Sequence, residues 1–443
     1  MEMEYWALVM FVAVISLLLL GYPVAFTLGA ISMLFGGIFL GMDFFNLLPM
    51  RIWGIMTNFT LLAVPLFVFM GVILEKSGIA ENLLESMAAL FGRVRGGLAV
   101  SIVAVGALLA ATTGVVGATV VTMTVIALPI MLKHRYQTEL ATGTIAASGT
   151  LGQIIPPSII LVLLADMVGV PVGQLFAAAV GPGVVLVGLF IAYILLISWL
   201  KPDWAPAMRA ESAVPDKANL VRLLMSLVPP LFLVFMVLGS IFFGIASPTE
   251  SAAFGALGAL LIAALHRKLT LAVITDACRQ TLMLTSMVFL ILIGATAFGL
   301  VFVGMGGDMV VEDIMLSLPG EEWGFLLVSM LILFILGFFL DFIEICFIVV
   351  PILAPIAEYL DVSLLWFAIL IAINLQTSFL TPPFGFSLFY LKAAAPPHVR
   401  ITQIYKGILP FVLIQIITLA LVLYWPQLSL WLPQWMDELQ GFG

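Results

Sequence analysis

The sequence predicts an all-α protein that crosses a membrane many times and consists of two halves with opposite orientation. Three observations support this prediction: the apolar composition, the positions of the few basic residues, and a recurring order of broken apolar segments. Of the 443 residues, 63% are hydrophobic and 9% are charged, whereas soluble globular domains carry about 25% charged residues. Because a spanning helix needs about 20 apolar residues, this length accommodates about 11 transmembrane helices.

The basic residues predict the orientation of the chain through the positive-inside rule. No Lys or Arg occurs between Arg279 and Lys392, where several acidic residues lie, so we predict those connections to be outside. Apolar runs over residues 5–20, 24–41 and 58–75 then place both termini on the periplasmic side. The apolar N-terminal run lacks the flanks of a signal peptide and is expected to be retained. The predicted cytoplasmic clusters are Arg93 and Arg95, Lys133 and Arg135, residues 201–222, Arg267 and Lys268, and residues 392–406.

Composition and motifs also exclude several classes of protein. The net charge is −8, and the few basic residues form no continuous stripe, which argues against a nucleic-acid partner. The two cysteines, Cys278 and Cys346, have no metal-ligating neighbours and are interpreted as packing residues. His134, His266 and His398 stand beside Lys or Arg and are interpreted as solvated loop residues. Motifs for zinc proteolysis, serine hydrolysis and phosphate binding are absent from the sequence.

The chain divides into two predicted inverted repeats, residues 1–200 and 223–443, joined by a proline- and charge-rich cytoplasmic linker over 201–222. Residues 78–95 have apolar positions at helical spacing and predict either an interfacial helix or a cytoplasmic loop helix. In the first repeat we predict scaffold helices over 5–75, a hairpin over 96–132 and a broken helix over 137–165; in the second, scaffold helices over 224–305, a hairpin over 323–357, a broken helix over 363–391 and a last helix over 408–425.

Two apolar segments are each expected to enter the membrane and to return to the same side. Residues 96–132 have basic flanks and are interrupted over 112–119. Residues 323–357 have acidic flanks and are interrupted at Gly337 and over 341–344. Each segment is either two complete spans or a re-entrant helical hairpin. The lengths favour hairpins, because each arm falls short of about 20 residues.

After each hairpin the same features follow in the same order. A proline lies ten residues beyond the polar tip, a helix breaks at a double proline, and a Gln precedes a further proline. Since the flanking charges of the hairpins differ, the repeats are predicted to have inverted topology, a pattern typical of secondary transporters. The matching pairs are Pro129 and Pro351, AASGTLGQIIPPSII (146–160) and INLQTSFLTPPFGFS (373–387), and Gln174 to Pro182 and Gln403 to Pro410.

The four interruptions predict a central binding site. Non-helical backbone at membrane depth is tolerated where it is buried in protein or lines an aqueous cavity. A broken helix has free N–H groups at one half-helix start and free C=O groups at the other half-helix end. The N–H groups attract a carboxylate, and the C=O groups coordinate a small hard cation such as Na⁺. The chemistry therefore suits an organic anion together with sodium.

Glycines, hydroxyl residues and two carboxylates are the candidate ligands. Glycines allow close backbone approach, but glycines and small hydroxyl residues also pack helices without any ligand, so both interpretations stay open. Asp341 and Glu344 are stronger candidates, because a carboxylate within an apolar run is costly. Asp166 is interpreted as an interfacial residue. The glycines are Gly114, Gly117, Gly149, Gly152 and Gly385; the hydroxyl residues are Thr113, Thr119, Ser148, Thr150, Thr377, Ser378 and Thr381.

Eight segments resemble, in order and spacing, those of a known family. They are NFTLLAVPLFVFMG (58–71), GRVRGGLAV (92–100), TTGVVGATVV (112–121), ATGTIAASGTLGQIIPPSI (141–159), LFAAAVGPG (175–183), SPTESAA (247–253), LDFIEICFIVVPILAPI (340–356) and LTPPFG (380–385). On these motifs the chain resembles the large membrane subunit of tripartite ATP-independent periplasmic (TRAP) transporters. Its plan is related to the elevator fold of divalent anion/sodium symporters.

The resemblance implies a secondary transporter of the bacterial inner membrane, not an enzyme. A transport domain carrying both hairpins would slide past a scaffold, driven by sodium, with no other cofactor. The substrate would be an organic acid, such as a dicarboxylate, keto acid or sugar acid, delivered by a periplasmic binding protein. A separate membrane subunit of about four helices is also implied. The alternatives are a stand-alone sodium/dicarboxylate symporter and, more remotely, a membrane-embedded enzyme using Asp341 and Glu344.

The resemblance further implies two sodium sites, each joining a hairpin tip to a helix break, with the substrate between them. Many relatives have Gly-Ser-Ala at the first tip, where this chain has Gly117-Ala118-Thr119, so a hydroxyl ligand is shifted or replaced by backbone there. The implied sodium ligands are Thr113, Gly114, Gly117, Thr119, Ser148, Gly149, Thr150, Pro156, Gly337, Asp341, Thr377 and Pro382; the implied substrate contacts are Gly117, Ser148, Gly152, Pro157, Ser158, Glu344, Ser378, Thr381, Pro383 and Gly385.

Overall fold

The fold is helical throughout the part of the chain that the structure describes. The structure is a computed structural model, and it describes residues 3–91, 94–113, 116–207, 217–383 and 385–440. Within these ranges the chain forms helices joined by turns and short irregular segments, with no β-strand. The predicted all-α class is confirmed.

Five helices precede the first hairpin. The helix predicted over 78–95, interfacial or in a cytoplasmic loop, is Ile79–Phe91, which packs against the later helices Gly97–Thr113 and Lys217–Phe242. An additional short helix, α3, was not predicted, because its nine residues are interrupted by Pro49 and Arg51. The helices are α1 (Met3–Leu19), α2 (Val24–Phe39), α3 (Leu48–Met56), α4 (Ala63–Lys76) and α5 (Ile79–Phe91).

The first hairpin and the first broken helix occupy the middle of the first half. Two helices that pack against each other form the hairpin, and its turn at residues 114–115 lies outside the described residues. The predicted broken helix consists of two helices separated by the double proline. The helices are α6 (Gly97–Thr113), α7 (Val116–Lys133), α8 (Thr138–Thr150), α9 (Ile159–Val168) and α10 (Val172–Leu200).

The first helix of the second half begins at Lys217, inside the linker predicted over 201–222, and residues 208–216 of that linker lie outside the described residues. The scaffold region of the second half contains a short helix, α14, that was not predicted. The motif SPTE forms the start of α12, where Ser247 and Glu250 exchange hydrogen bonds in a capping box. The helices are α11 (Lys217–Phe242), α12 (Pro248–Leu265), α13 (Leu271–Gly304) and α14 (Gly307–Leu316).

The second hairpin and the second broken helix are followed by two helices where one was predicted. The last predicted helix begins at Ile401 rather than at 408, because the Gln403 side chain accepts a hydrogen bond from the Arg400 N–H (3.0 Å) and so caps the helix. The short final helix was not predicted. The helices are α15 (Glu322–Leu336), α16 (Phe342–Ile348), α17 (Val350–Tyr359), α18 (Leu364–Leu380), α19 (Phe386–Ala394), α20 (Ile401–Tyr424) and α21 (Gln427–Gln440).

Five described helices are long and apolar enough to cross a membrane alone: α7, α10, α12, α13 and α20. Counting each of two bent helix pairs as one span raises this number to seven. The bent pairs are residues 42–76, bent by 55°, and α16 with α17, bent by 54°. The other apolar helical stretches with described side chains have 10–17 residues, so the number of about 11 spans stays a prediction.

The first segments of the two broken helices, α8 and α18, lie at the centre of the molecule. Every residue from Leu140 to Thr150 and from Trp366 to Leu380 is buried. Helix α20 crosses α8 at very short range, where Gly143 and Gly407 face each other. A Cβ atom on Gly143 would contact the carbonyl oxygen of Gly407, and one on Gly407 would contact that of Glu139. Only glycine permits this helix crossing.

Candidate functional site

Each hairpin packs against both broken helices. In the first hairpin, α6 and α7 contact α8 of the same half, and α7 also contacts α19 of the other half. In the second hairpin, α15 contacts α18 of the same half, while α16 and α17 contact α9 of the other half. The structure thus brings the hairpins and the breaks together around α8 and α18.

The first break is buried within the protein. A 3₁₀ turn over Leu151–Gln153 follows α8, and the peptide bond between Pro156 and Pro157 is cis. The Ser158 hydroxyl donates a hydrogen bond to the carbonyl oxygen of Gln153 (3.3 Å), just before α9 begins. Except for Ile155, residues 151–158 are buried, Gly152 among them.

The second break has the same construction but is more open. Thr381 ends α18, the peptide bond between Pro382 and Pro383 is cis, and Pro383 is exposed. The Ser387 hydroxyl donates to the carbonyl oxygen of Phe379 (2.9 Å), as Ser158 does in the first break. Sequence reasoning missed Ser387, although its segment had been aligned with that of Ser158.

Tyr405 is a second residue of this break that sequence reasoning missed. Its hydroxyl donates to the carbonyl oxygen of Pro383 (2.9 Å) and so connects α20 to the break. The available signal was the repeated Gln-x-aromatic segment that precedes Pro410.

Five of the seven predicted hydroxyl ligands present oxygen lone pairs rather than protons. Each of the five donates its single proton to a backbone carbonyl three or four residues earlier, which leaves lone pairs for a cation. Thr142, two turns before Thr150, makes the same kind of bond, so the bond alone does not identify a ligand. The donors and distances are Ser148 (3.1 Å), Thr150 (2.9 Å), Thr377 (2.8 Å), Ser378 (2.8 Å) and Thr381 (2.7 Å).

The first predicted tip-and-break pair is in contact in the structure. A Cβ atom on Gly149 would lie 3.1 Å from the Cα atom of Val120, which follows the buried Thr119. Gly106 of α6, which sequence reasoning missed, packs against Ser148, with 2.6 Å between an added Cβ and the Ser148 Cβ. Gly114 and the side chain of Thr113 lie outside the described residues.

Gly117 lies beside the other half of the molecule. A Cβ atom there would be 3.2 Å from the ring of Tyr390 in α19. The first hairpin tip therefore borders the second broken helix as well as the first. The role of Gly117 as a substrate contact stays a prediction.

The second predicted pair is also in contact. Gly337, at the end of α15, packs against Ser378 of α18, and an added Cβ would lie 2.8 Å from the Ser378 Cβ. Gly385 is held by the turn itself, since an added Cβ would lie 2.6 Å from the carbonyl oxygen of Phe379. Both glycines are required by close approach of the backbone.

Asp341 and Glu344 form the start of α16. An Asp341 carboxylate oxygen accepts a hydrogen bond from the Phe342 N–H (2.7 Å), and Glu344 accepts one from the Asp341 N–H (3.0 Å). This is a capping box. Both carboxylates therefore have a structural role as helix caps. Capping alone does not require their negative charge, because Asn and Gln can serve in the same positions.

Asp166 connects the outer end of the first broken helix to the scaffold region. Its Oδ1 atom accepts a hydrogen bond from Asn58 (2.7 Å), and the Asn58 Oδ1 atom in turn accepts one from the Thr60 N–H (2.9 Å). Its interpretation as an interfacial residue stays a prediction.

A mostly apolar cavity of about 730 Å³ lies beside Asp166. It is lined by α9, α16 and α17 on one side and by α3, α13 and α14 on the other, and Arg51, Gly299 and Pro351 are among its lining residues. Of the predicted sodium and substrate residues that the structure describes, none lines it. Among the described residues, no three His, Cys, Asp or Glu side chains are grouped to hold a metal ion.

A helical chain with long apolar helices, paired hairpins and broken helices belongs to the class of multi-pass membrane transport proteins. Residues 11–428 match the family described as "Tripartite ATP-independent periplasmic transporter, DctM component". The chain belongs to this family. The large permease subunits of the family are multi-pass proteins of the inner membrane. Membership implies a tripartite system with a small membrane subunit and a periplasmic binding protein.

Individual relatives agree with this assignment. The chain is 31% identical over 390 residues to the C4-dicarboxylate TRAP transporter large permease protein of Pseudomonas aeruginosa, covering 88% of this chain and 90% of that one. It is 28% identical over 424 residues to the sialic acid TRAP transporter large permease protein of Vibrio cholerae, covering 95% and 96%. These relatives are named as permeases, so we treat the chain as a transporter rather than an enzyme.

The solved structure of the YdaH transporter of Alcanivorax borkumensis has a similar fold. The two chains superpose with a TM-score of 0.62 at 14% sequence identity, and 88% of each chain is covered. This likeness supports the fold alone.

Proposed function

We propose that this chain carries an organic acid across the inner membrane, driven by a sodium gradient, after a periplasmic binding protein delivers the acid. A separate small membrane subunit completes the system. The observation that carries the proposal is the contact of each hairpin with a broken helix in a chain of the TRAP large permease family. The names of the relatives, for C4-dicarboxylates and sialic acid, favour a carboxylate substrate.

Sodium is proposed at the two tip-and-break pairs. The first pair joins residues 113–119 to residues 148–156, and the second joins residues 337–341 to residues 377–382. Support comes from the packing of Gly149 on Val120 and of Gly337 on Ser378. Hydroxyl oxygens with their protons already donated, together with free carbonyls, are the ligands that a hard cation prefers.

The substrate is proposed between the pairs, beside both breaks. The hydroxyl groups of Ser148, Ser158, Ser378 and Thr381 donate their protons to backbone carbonyls. A carboxylate needs donors, so backbone N–H groups at the starts of α9 and α19 suit it better than these hydroxyls. The other proposed contacts, which border these starts or the hairpin tips, are Gly117, Gly152, Pro157, Glu344, Pro383 and Gly385.

One rigid scaffold is proposed to contain α4, α12 and α13. Helix α4 packs along both other helices. Lys76 at its end forms an ion pair with Asp276 of α13. Before its start, the carbonyl oxygen of Phe59 accepts a hydrogen bond from Thr249 of α12 (2.8 Å). These contacts hold α4 against its neighbours at both ends.

An elevator movement is proposed for the hairpins and broken helices relative to this scaffold. Two side-chain hydrogen bonds join the parts near opposite ends of α4: Thr122 to Glu75 (2.9 Å) and Asn58 to Asp166 (2.7 Å). Sliding would break both bonds. The cavity between α16–α17 and α13 offers space for the second hairpin to move.

Uptake in proteoliposomes tests the proposed function. The chain, its small subunit and the binding protein loaded with a labelled carboxylic acid would be combined, with sodium outside. We expect uptake that requires both an inward sodium gradient and the binding protein. Equal uptake with choline in place of sodium would contradict the coupling, and equal uptake without the binding protein would favour a stand-alone symporter. A panel of carboxylic, keto and sugar acids bound to the binding protein would identify the substrate.

A further inference from the structure

Two fully buried side chains, Thr150 of α8 and Gln376 of α18, connect the broken helices directly. The Gln376 Nε2 atom donates a hydrogen bond to the Thr150 Oγ1 atom (3.4 Å). Thr150 lies six residues before Pro156, and Gln376 lies six residues before Pro382. The contact therefore joins corresponding positions of the two breaks.

Thr150 determines the direction of this hydrogen bond. Its only proton is donated to the carbonyl oxygen of Ala147 (2.9 Å), so its oxygen acts as an acceptor toward Gln376. The amide of Gln376 must then present its NH₂ group. Of the two atoms of that amide, the Oε1 atom has no hydrogen-bond partner among the described residues.

Gln153 is a second buried amide of the first break. It lies one turn after Thr150, is fully buried, and has no hydrogen-bond partner for either amide atom within the part of the chain that the structure describes. An unpaired buried polar group costs about 1–3 kcal/mol. A purely packing role would favour apolar side chains here, which avoid this cost.

We propose that the bond between Thr150 and Gln376 couples sodium binding at the two tip-and-break pairs. This inference rests on the proposed function. It assigns Gln376 as a positioning residue and gives Thr150, an implied sodium ligand, a second role as the acceptor of this bond, so Gln376→Met is the variant that tests the coupling apart from ligand loss. Thr150 shares the last turn of α8 with Ser148, and Gln376 precedes Thr377 and Ser378. A cation that draws in the oxygens of the first break moves this turn of α8, and the bond passes the displacement to the second break.

The coupling is reciprocal, because each sodium ion changes the affinity for the other by the same factor. Such couplings amount to about 5- to 150-fold in affinity. They make the sodium dependence steeper than that of a single site. Loss of the bond should therefore lower both the steepness of the sodium dependence and the affinity for sodium.

The test measures sodium dependence in Thr150→Val and Gln376→Met. Both uptake and the thermal stability of the purified protein in detergent would be titrated with sodium. We expect the Hill coefficient to fall toward one and half-saturation to shift upward by about 2- to 12-fold, the square root of the coupling factor, because both sites are titrated by the same ion. Thr150→Ser keeps the hydroxyl and is expected to keep the steep dependence.

A double variant protects the test against misfolding. Thr150→Val with Gln376→Met removes both partners of the bond, so the Gln376 amide is not left unpaired, and the double variant should match the single variants rather than add to them. Thr142→Val is the matched control, because Thr142 is buried on the same helix and bonds only within it. It should keep the wild-type sodium dependence.

Two outcomes would overturn the coupling. One is a double variant with wild-type steepness and half-saturation; the other is an equal loss in Thr142→Val. A wild-type protein with no sodium dependence in either assay would refute the proposed function itself, and the coupling with it. The failure of the inference is thereby distinguished from the failure of the function.

Discussion

Asp341→Asn is expected to weaken sodium affinity by at least about tenfold, which corresponds to about 1.4 kcal/mol, while α16 keeps its structure. Asn is as good an N-cap as Asp, so it can accept the hydrogen bond from the Phe342 N–H that Asp341 now accepts. The substitution removes only the negative charge. A unit charge about 4 Å from a cation contributes about 4 kcal/mol at an effective dielectric constant of about 20. This free energy is larger than the one that a tenfold loss of affinity requires.

The measurement is the sodium concentration that gives half-maximal uptake in proteoliposomes. Asp341→Ala removes the cap as well and should cost about 0.5–2 kcal/mol of additional stability. Glu344→Gln keeps the capping box, since Gln serves as well as Glu at that position, and it tests the second charge separately. Unchanged sodium dependence in Asp341→Asn would leave Asp341 with a capping role only.

Gly407→Leu is expected to prevent normal folding of the protein. The α8–α20 crossing has no room for a Cβ atom, because an added carbon on Gly407 meets the backbone carbonyl of Glu139 rather than a movable side chain. Overpacking of cores costs about 1–3 kcal/mol. Here the helices themselves must separate, and α8 is buried from Leu140 to Thr150, so the cost should exceed that range. Gly407→Ala should give a smaller defect of the same kind.

Size-exclusion profiles and thermal unfolding in detergent would measure this effect. Gly188→Leu is the matched control, because Gly188 also lies within an apolar helix, α10, but an added Cβ meets no atom within 4 Å. The control should elute and unfold like the wild type. Equal behaviour of Gly407→Leu and the control would show that the close crossing of α8 and α20 is incorrect.

The long apolar helices and the breaks were predictable because each has a strong local signal. Apolar length indicates α10 and α13, and the double prolines with their preceding polar residues indicate the ends of α8 and α18. Short helices lack such signals. Helices α3, α14 and α21 carry polar or proline residues within 9, 10 and 14 residues, and only packing against neighbours stabilises segments of this length.

The sequence predicts which segments form the site. It does not predict the hydrogen-bond partner of each side chain in it. Asp341 and Glu344 are carboxylates within an apolar run, which indicates a functional role. The spacing Asp-x-x-Glu also predicts a capping box, which the structure contains. The roles of Ser387 and Tyr405 depend on carbonyls that the breaks expose. The bond between Thr150 and Gln376 joins residues from different halves, and only the tertiary fold brings them together.

The most direct test of the central claim, sodium at two tip-and-break pairs, is a pair of experimental density maps of the protein in sodium and in choline. In sodium, the account predicts one ion within reach of Ser148 and the first break, and a second within reach of Thr377 and the second break. Both densities should disappear in choline. Well-ordered breaks with no sodium-dependent density at either place, or ions bound elsewhere, would contradict it.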